Sequence, residues 1–347
     1  MNQIRFGRTE LTVSEVAFGG IPIMRVSESE AISIIREIIT MGVNFLDTAH
    51  GYGDSEEKIG KAITSFPRKS LVLASKSPAR DKKTFLEHLH LSLKRLQTDY
   101  IDIYQLHSVS TEDVMEQVLS ADGAFEGLTQ AIKEGKVRFP AFSAHNLEIG
   151  EKMISTGLFD VTQIPFNFID KKAADSILPL ALQHDMGFIA MKPLGGGMLE
   201  DARLCFKYLK QFEGVVPDPG IEKAHEMREI IEIIEDPSPL SDKDFREMER
   251  ISEELGETWC HRCDYCQPCP EEIPISMMLN LRSFVKRLPF ERMQTVFGEK
   301  IEKARNCREC GDCVERCPYD LDIPELIKKN LTRWDRYVRT RVWEEVT

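Results

Sequence analysis

The sequence predicts an α/β protein: a closed parallel (β/α)8 barrel, the TIM-barrel architecture, followed by a smaller, mainly helical domain. Three observations support this prediction. Eight short apolar runs end in glycine or a polar residue, and they recur at about the 30 residues that a βα unit needs. Helical patterns fill the gaps between these runs. Eight of the nine cysteines lie after residue 259, which sets a second region apart from the first.

The candidate strands are SEVAFGG (14–20), VNFLDTA (43–49), LVLASK (71–76), IDIYQLH (101–107), VRFPAFSAHN (137–146), DVTQIPFN (160–167), GFIAMKPLGGG (187–197) and GVVPDPG (214–220). Apolar residues share one helical face over 27–41 and over 81–96, which predicts two of the covering helices. An open doubly wound sheet is the competing fold. The barrel is favoured because no G-x-G-x-x-G motif follows the first strand.

The predicted boundary between the two domains lies at Gly256. After Gly220 the chain shows two helical stretches, separated by EDPSPLSD (235–242), where two prolines interrupt the helical pattern. The second stretch covers roughly 241–255. We therefore expect residues 1–256 to form the barrel and residues 257–347 to form the cysteine-rich domain.

Composition and charge exclude several classes of function. No apolar run approaches the 18 or so residues that a membrane span needs. The first residues, MNQIRFGRTELTVSEV, lack the basic start and apolar core of a signal peptide, so a cytoplasmic location is expected. The formal charge of −12 argues against nucleic acid or an anionic membrane as the main partner, because phosphate binding needs a positive surface.

Four polar residues follow three successive predicted strands. Asp47 ends the second strand and Tyr52 lies in the next loop, while Lys76 and His107 end the third and fourth strands. In a (β/α)8 barrel the chemistry takes place at the C-terminal ends of the strands. Each residue alone has a structural interpretation, such as a capping Asp47 or a packing Tyr52. Their joint occurrence at one barrel mouth favours a catalytic role.

These four side chains suit proton transfer to a carbonyl group. A free tyrosine has a pKa of about 10 and is a poor acid near neutral pH. An adjacent ammonium lowers that pKa, and a carboxylate beside the ammonium keeps it charged and oriented. Tyr52 would then protonate a carbonyl oxygen while hydride reaches the carbon, with Lys76 and Asp47 in support. We expect His107 to orient the carbonyl by a hydrogen bond.

The second region carries two cysteine runs, CHRCDYCQPCP (260–270) and CRECGDCVERCP (307–318). The latter has the C-x2-C-x2-C-x3-C-P spacing of bacterial ferredoxins, which bind [4Fe–4S] clusters, so a ferredoxin-like domain is expected. In two-cluster ferredoxins the fourth cysteine of each run binds the other cluster. This predicts one ligand set of Cys260, Cys263, Cys266 and Cys317 and a second of Cys307, Cys310, Cys313 and Cys269.

Other interpretations of the cysteines remain open. Structural zinc also takes four cysteines, although three consecutive two-residue gaps suit a cubane cluster better. The altered spacing of the first run leaves one cluster as an alternative to the two that we favour. Cys205, in a predicted helix after the seventh strand, is expected to be an inert buried thiol.

A resemblance to a known family rests on FLDTAHGYGDSEEKIGKAI, LVLASK, DYIDIYQLH and QIPFN. These segments resemble the aldo/keto reductase family over roughly residues 1–256, and the family tetrad falls on Asp47, Tyr52, Lys76 and His107. GFIAMKPLGGGM and CDYCQPCPEEIPI are similar to a branch with a fused ferredoxin-type tail, described as predicted iron–sulfur oxidoreductases. The resemblance implies a reductase that uses NAD(P)H, with the nicotinamide across the barrel mouth.

The nucleotide site is predicted from KPLGGGM (192–198) and from the resemblance. Successive glycines let a pyrophosphate approach backbone N–H groups. A flexible turn is the alternative interpretation. The residues assigned to the nucleotide are Ser143 and Gln163 for the carboxamide, Lys192, Leu194, Gly195, Gly196 and Gly197 for the pyrophosphate, and Glu229 for the adenine.

The sequence departs from the family pattern in four places. Ala144 replaces the usual asparagine of the carboxamide site, and Met191 replaces an aromatic residue that stacks on the nicotinamide. Glu222 and Glu226 stand near positions where members that prefer NADPH place basic and hydroxyl residues. Carboxylates repel a 2′-phosphate, so we expect a weakened preference for NADP(H), with NAD(H) binding or poor nicotinamide binding altogether as the alternatives.

The leading hypothesis is therefore an oxidoreductase that reduces a carbonyl or oxidises an alcohol. Its clusters would exchange electrons with a ferredoxin or another one-electron carrier, or would be structural. The alternative is a redox sensor or binding module without catalysis, whose signal is the occupancy of the clusters. The intact set of four polar residues favours the enzyme.

Overall fold

The computed structural model describes residues 1–343, which form two compact units. The first unit contains Met1–Leu194 and Leu199–Leu240. The second contains Gly195–Met198 and the chain from Ser241 onward. Contacts thus group helix Asp242–Gly256 with the second unit, whereas the sequence analysis proposed a division after Gly256.

The strands of the first unit are β1 (Gln3–Phe6), β2 (Leu11–Ser14), β3 (Phe18–Gly19), β4 (Phe45–Asp47), β5 (Val72–Ser77), β6 (Ile101–Leu106), β7 (Val137–Ser143), β8 (Val161–Pro165), β9 (Gly187–Met191) and β10 (Val215–Asp218). β1 and β2 form an antiparallel hairpin. β3 to β10 form one parallel sheet in chain order, and a parallel bridge joins Gly19 to Gly220. The predicted (β/α)8 barrel is confirmed.

The α-helices of the first unit are α1 (Glu28–Thr40), α2 (Ser55–Ile63), α3 (Lys82–Leu96), α4 (Glu112–Leu119), α5 (Ala124–Lys133), α6 (Leu147–Ser155), α7 (Ile177–Gln183), α8 (Ala202–Leu209) and α9 (Ala224–Glu235). α1 begins where the Ser27 side chain accepts a hydrogen bond from the N–H of Glu30. α3 begins where the Asp81 side chain accepts a hydrogen bond from the N–H of Thr84. Such caps satisfy N–H groups that a helix leaves unpaired at its start.

The core of the barrel fills its N-terminal half. Phe6 of the β1–β2 hairpin packs edge-on against Phe45, with ring centres 5.5 Å apart, and Gly187 at the start of β9 leaves room for the Phe6 ring. Both phenylalanines are buried with Val13, Ile103 and other apolar side chains. Burial of each such side chain contributes about 1.5–3 kcal/mol. The end of the barrel next to the β1–β2 hairpin is therefore filled by apolar side chains. Polar side chains lie at the opposite end, where the strands have their C-termini.

The second unit is helical, with α10 (Asp242–Gly256), α11 (Ile275–Leu279), α12 (Leu281–Arg287), α13 (Phe290–Arg292), α14 (Gly298–Lys303), α15 (Asp312–Glu315) and α16 (Ile323–Thr340). Its small core includes Met278 and Leu281, and Asn330 of α16 donates to the Met278 carbonyl at 2.8 Å. None of the helices within residues 1–343 is long and apolar enough to cross a membrane.

Candidate functional site

The structure places the four predicted polar residues at the C-terminal end of the barrel strands. Asp47 is the last residue of β4 and Lys76 lies near the end of β5. His107 follows β6 directly, and Tyr52 lies in the loop between β4 and α2. The parallel register of β4 and β5 brings their ends to one edge of the sheet.

Asp47 and Lys76 form a buried ion pair. Asp47 Oδ2 and Lys76 Nζ are 2.5 Å apart, and each residue is 2% exposed. Lys76 also donates to the Thr48 carbonyl at 2.7 Å. Burial alone would lower the pKa of Lys76, but the charge of Asp47, assisted by Tyr52 and Asp218, raises it. Lys76 therefore stays an ammonium across the physiological range.

Tyr52 lies beside this ammonium. Lys76 Nζ is 5.3 Å from the centre of the Tyr52 ring. The same ring stands nearly perpendicular to the His107 imidazole, at 79° with ring centres 6.0 Å apart. The loop is held by a hydrogen bond from the Tyr52 N–H to the Ala49 carbonyl, and Gly53 takes a φ of +54° that glycine accepts readily. One loop thus brings the phenol to both the lysine and the histidine.

His107 is electrically neutral in this site. Burial lowers its pKa to about 3, and the nearby positive charges of Lys76 and Arg80 act in the same direction. Arg80 donates to the backbone carbonyl of His107 at 2.8 Å, while the backbone N–H of His107 donates to the Ser77 carbonyl. A neutral imidazole can share a hydrogen bond with a substrate oxygen without adding a charge.

Ser143 ends β7 and Gln163 lies in the middle of β8, where the two are register partners. Ser143 Oγ accepts from the N–H of Ser108 at 2.9 Å. Gln163 Nε2 lies 2.9 Å from Asp218 Oδ2 and 3.5 Å from Asp47 Oδ2. Gln163 Oε1 is buried and accepts no hydrogen bond from residues 1–343. This orphaned acceptor fits a ligand that carries an amide N–H group.

Asp218 is a member of the site that the sequence analysis missed. It is the last residue of β10 and is 9% exposed. Burial and the charge of Asp47 raise the pKa of Asp218 well above its usual range, although Lys76 opposes the shift. The signal was available, because Asp218 ends the eighth predicted strand as Asp47 ends the second.

The glycine loop has backbone geometry that glycine permits. Lys192 and the three glycines 195–197 all have positive φ angles. The Gly196 carbonyl accepts from Ser283 Oγ at 2.9 Å, and the Gly197 carbonyl accepts from Lys286 Nζ at 2.7 Å. A Cβ on Gly196 would lie 2.4 Å from Ser283 Oγ. Helix α12 thus holds a loop that the sequence analysis connected only to a pyrophosphate.

The start of α9 is occupied by a carboxylate of the chain itself. Glu226 Oε2 accepts from the N–H groups of Glu222 and Lys223, both at 2.9 Å. Arg25 lies 3.7 Å from the carboxylate of Glu222. Glu229 is exposed on α9. Backbone N–H groups that would otherwise suit an anion are therefore already paired.

The clustered thiols lie in two groups. Cys269, Cys307, Cys310 and Cys313 line one cavity, and Cys260, Cys263, Cys266 and Cys317 line another. Within residues 1–343, no three His, Cys, Asp or Glu side chains converge on a single metal position. Four thiols around a cavity are the donor set of an iron–sulfur cluster. The two groups fit such clusters.

Burial controls the acidity of the thiols. It raises the pKa of Cys260 to about 11 and that of Cys266 to about 12. Cys205 on α8 is fully buried in the other unit, and burial raises its pKa as well. Because only the thiolate is a good nucleophile, Cys205 has the properties of an unreactive core residue.

Comparisons with known proteins agree with this geometry. A family model described as the aldo/keto reductase family matches residues 15–205, and one described as a 4Fe-4S dicluster domain matches residues 259–322. The uncharacterized oxidoreductase YqkF of Bacillus subtilis is 31% identical over 218 residues, which cover 59% of this chain and 68% of YqkF. The NADH-specific methylglyoxal reductase of Escherichia coli is 27% identical over 57% of this chain and 69% of its own length.

A solved structure is similar in fold. The holo form of an aldo-keto reductase from Bacillus halodurans superposes with a TM-score of 0.62, over 72% of this chain and 96% of that one. The sequence identity is 22%, so this likeness concerns the fold alone.

Proposed function

Because the chain belongs to the aldo/keto reductase family and is an NAD(P)-dependent oxidoreductase, we propose that it reduces a carbonyl to an alcohol, or catalyses the reverse reaction, with Tyr52 as general acid. One observation carries this proposal. The buried Lys76 ammonium pairs with the Asp47 carboxylate on one side and lies 5.3 Å from the Tyr52 ring on the other.

In the proposed reaction a bound reduced nicotinamide would be the source of the hydride that the carbonyl carbon receives. Tyr52 gives its phenolic proton to the carbonyl oxygen, so that hydride and proton together yield the alcohol. The phenolate that remains on Tyr52 is stabilised by Lys76, which Asp47 keeps charged and in place. Neutral His107 orients the carbonyl by a hydrogen bond. In alcohol oxidation the same groups act in reverse.

The nucleotide contacts are proposals for the residues that the sequence analysis named. Ser143 and Gln163 would hold the nicotinamide carboxamide, and the unpaired Gln163 Oε1 would accept from its N–H group. Lys192, Leu194 and the three glycines 195–197 would contact the pyrophosphate, and Glu229 would contact the adenine. Ala144 offers no side-chain hydrogen bond where the family has asparagine.

A weakened preference for NADP(H) is supported by the start of α9. Glu226 already accepts from two backbone N–H groups, and its negative charge would repel a 2′-phosphate. The carboxylate of Glu222 lies near Arg25, the cation that could otherwise attract such a phosphate. We therefore propose that NAD(H) binds at least as well as NADP(H).

The cysteine groups support two [4Fe–4S] clusters with crossed ligation. One cluster would take Cys260, Cys263, Cys266 and Cys317, and the other Cys307, Cys310, Cys313 and Cys269. Each set lines one cavity in the second unit. Such clusters would supply one-electron chemistry, and we propose exchange with a ferredoxin or a similar carrier.

The experiment that tests the reductase starts from protein purified without oxygen. Iron and sulfide are counted, NADH and NADPH are titrated by fluorescence, and oxidation of the reduced nucleotide is followed with a panel of aldehydes and ketones. We expect about eight irons per chain, saturable nucleotide binding and turnover with at least one carbonyl compound. Failure of both nucleotides to bind would contradict the proposed reductase.

A further inference from the structure

Asp218 is a buried acid that the proton-transfer scheme above does not use. Its Oδ2 atom accepts from Gln163 Nε2 at 2.9 Å, and the same nitrogen lies 3.5 Å from Asp47 Oδ2, so the two carboxyls are neighbours. Its Oδ1 atom is buried and accepts no hydrogen bond from residues 1–343. The site therefore contains two neighbouring carboxyls but a single buried ammonium, Lys76.

Charge balance limits what this group can be. Two carboxylates that share the Gln163 amide nitrogen, buried with one ammonium, would leave an uncompensated negative charge in a region that excludes water. Like charges at this distance do not both ionise readily, and one carboxyl keeps its proton. Asp47 forms an ion pair with Lys76 at 2.5 Å, whereas Asp218 accepts a hydrogen bond from the neutral amide of Gln163.

Among residues 1–343, Lys76 is the cation that acts on Asp218. The ionisable groups that act on it are Asp47 from β4 and Lys76 from β5. Tyr52 acts in turn on Lys76. The neighbouring strand β9 offers Met191 opposite Asp218, and β3 offers Gly19 near its Oδ1 atom. Neither neighbour ionises, so Lys76 alone must balance the carboxyls.

We propose that Asp218 is a positioning residue that shares one proton with Asp47, so that Lys76 faces a single negative charge. The shared proton leaves the ammonium free to stabilise the phenolate of Tyr52. Asp218 also holds the Gln163 amide with its nitrogen toward the carboxyls and its oxygen unpaired. This inference rests on the proposed reductase only for its kinetic consequences.

The proposal has a definite pH dependence. Burial and the charge of Asp47 raise the pKa of Asp218 well above its usual range, so the shared proton is lost only as the pH rises through that raised value. Loss of the proton places a second carboxylate beside Lys76. The ammonium then stabilises the Tyr52 phenolate less, and turnover falls on the alkaline side.

A spectroscopic experiment tests the shared proton without any turnover. Infrared spectra of the full-length protein at neutral pH should show the carbonyl band of a protonated carboxylic acid. The band should disappear in Asp218→Asn. It should also disappear in Asp47→Asn, because Asp218 then becomes the sole counter-ion of Lys76 and ionises. Asp102→Asn is the matched control: this buried acid pairs with Arg68 and Arg138, so the band should remain.

Kinetics supply an independent readout. Asp218→Asn should remove one ionisation from the alkaline limb of the pH profile of kcat/KM. In the Asp47→Asn background Asp218 carries the counter-charge, so its replacement there should cost at least tenfold more activity than in the wild type. Equal costs in both backgrounds, together with an acid band that survives Asp218→Asn, would overturn the proposal. A band that behaves as expected in a protein without turnover would refute the reductase and leave the shared proton standing.

Discussion

The two units position their reactive groups by different means. In the barrel, Asp47 and Lys76 project from neighbouring strands whose backbone pairing fixes their register. In the second unit, Cys260, Cys263, Cys266 and Cys269 all lie in a segment without helix or strand, and Cys313 lies in the four-residue α15. The barrel therefore holds its site before any ligand arrives. The cysteine segments depend more strongly on the metal that they bind.

Replacement of Tyr52 by phenylalanine tests the barrel side of this comparison and has the largest expected effect. The change removes the proposed acid but leaves the backbone that positions it. We expect kcat to fall by about 10²–10⁴-fold with the affinity for nucleotide unchanged. Steady-state kinetics and fluorescence titration measure the two quantities.

Tyr104→Phe is the matched control, because Tyr104 is buried on β6 and shares a hydrogen bond with Ser92 at 3.2 Å. Its loss should change stability and leave kcat within a fewfold of the wild type. Undiminished turnover in Tyr52→Phe would contradict the assignment of the acid and would favour a sensor or binding module.

Replacement of one predicted cluster ligand tests the second unit, the other half of this comparison. Cys313→Ser should lower the iron content from about eight to about four per chain, because its cavity is lined by a separate set of four thiols. Chelation of all iron should reduce the far-UV circular dichroism of the second unit and spare that of the barrel. Cys205→Ser is the control and should keep its iron. Complete iron loss in Cys313→Ser would show that the two sites do not assemble independently.

The contrast between the units also explains what the sequence could reveal. The regular spacing of eight apolar runs predicted the barrel. The polar residues that end these runs predicted Asp47, Lys76 and His107 as members of the site. Asp218 also ends a strand but was not recognised, because its contact with Gln163, 55 positions away along the chain, follows no local pattern. The hydrogen bonds from Ser283 and Lys286 to the glycine loop join residues nearly ninety positions apart. No local pattern predicts such a contact.

A change of charge just before α9 tests how the barrel unit discriminates between NADPH and NADH. Glu222→Lys removes a carboxylate beside Arg25 and adds a cation. We expect the ratio of kcat/KM for NADPH to that for NADH to rise by about tenfold, which corresponds to about 1.4 kcal/mol. The control is Glu232→Lys, which is exposed on α9 itself. An unchanged ratio in Glu222→Lys would place the 2′-phosphate elsewhere.

The smallest effect concerns a histidine in the loop between β4 and α2. His50 stacks on His88 with ring centres 3.8 Å apart, and burial, with His88 and Arg95, lowers its pKa to about 4. The unfolded chain, with a pKa of about 6.5, binds this proton more readily. The free energy of unfolding should therefore fall as the pH drops from about 6.5 to 4.

His50→Gln should reduce the loss of unfolding free energy between pH 7 and pH 4.5 by an amount on the order of 1 kcal/mol. Urea denaturation at pH 7 and pH 4.5 measures it. His225→Gln, exposed on α9, should leave the slope as it is. A wild-type stability that is flat over this range would contradict the lowered pKa.

The glycine loop makes the barrel difficult to isolate. Gly195–Met198 leave the first unit and rejoin it at Leu199, and between those points two carbonyls depend on donors from α12. A gene shortened to residue 240 would encode every strand of the barrel, yet it would strip that loop of Ser283 and Lys286. Removal of the chain after residue 240 would therefore leave two carbonyls of this loop without their donors and would change more than the iron content.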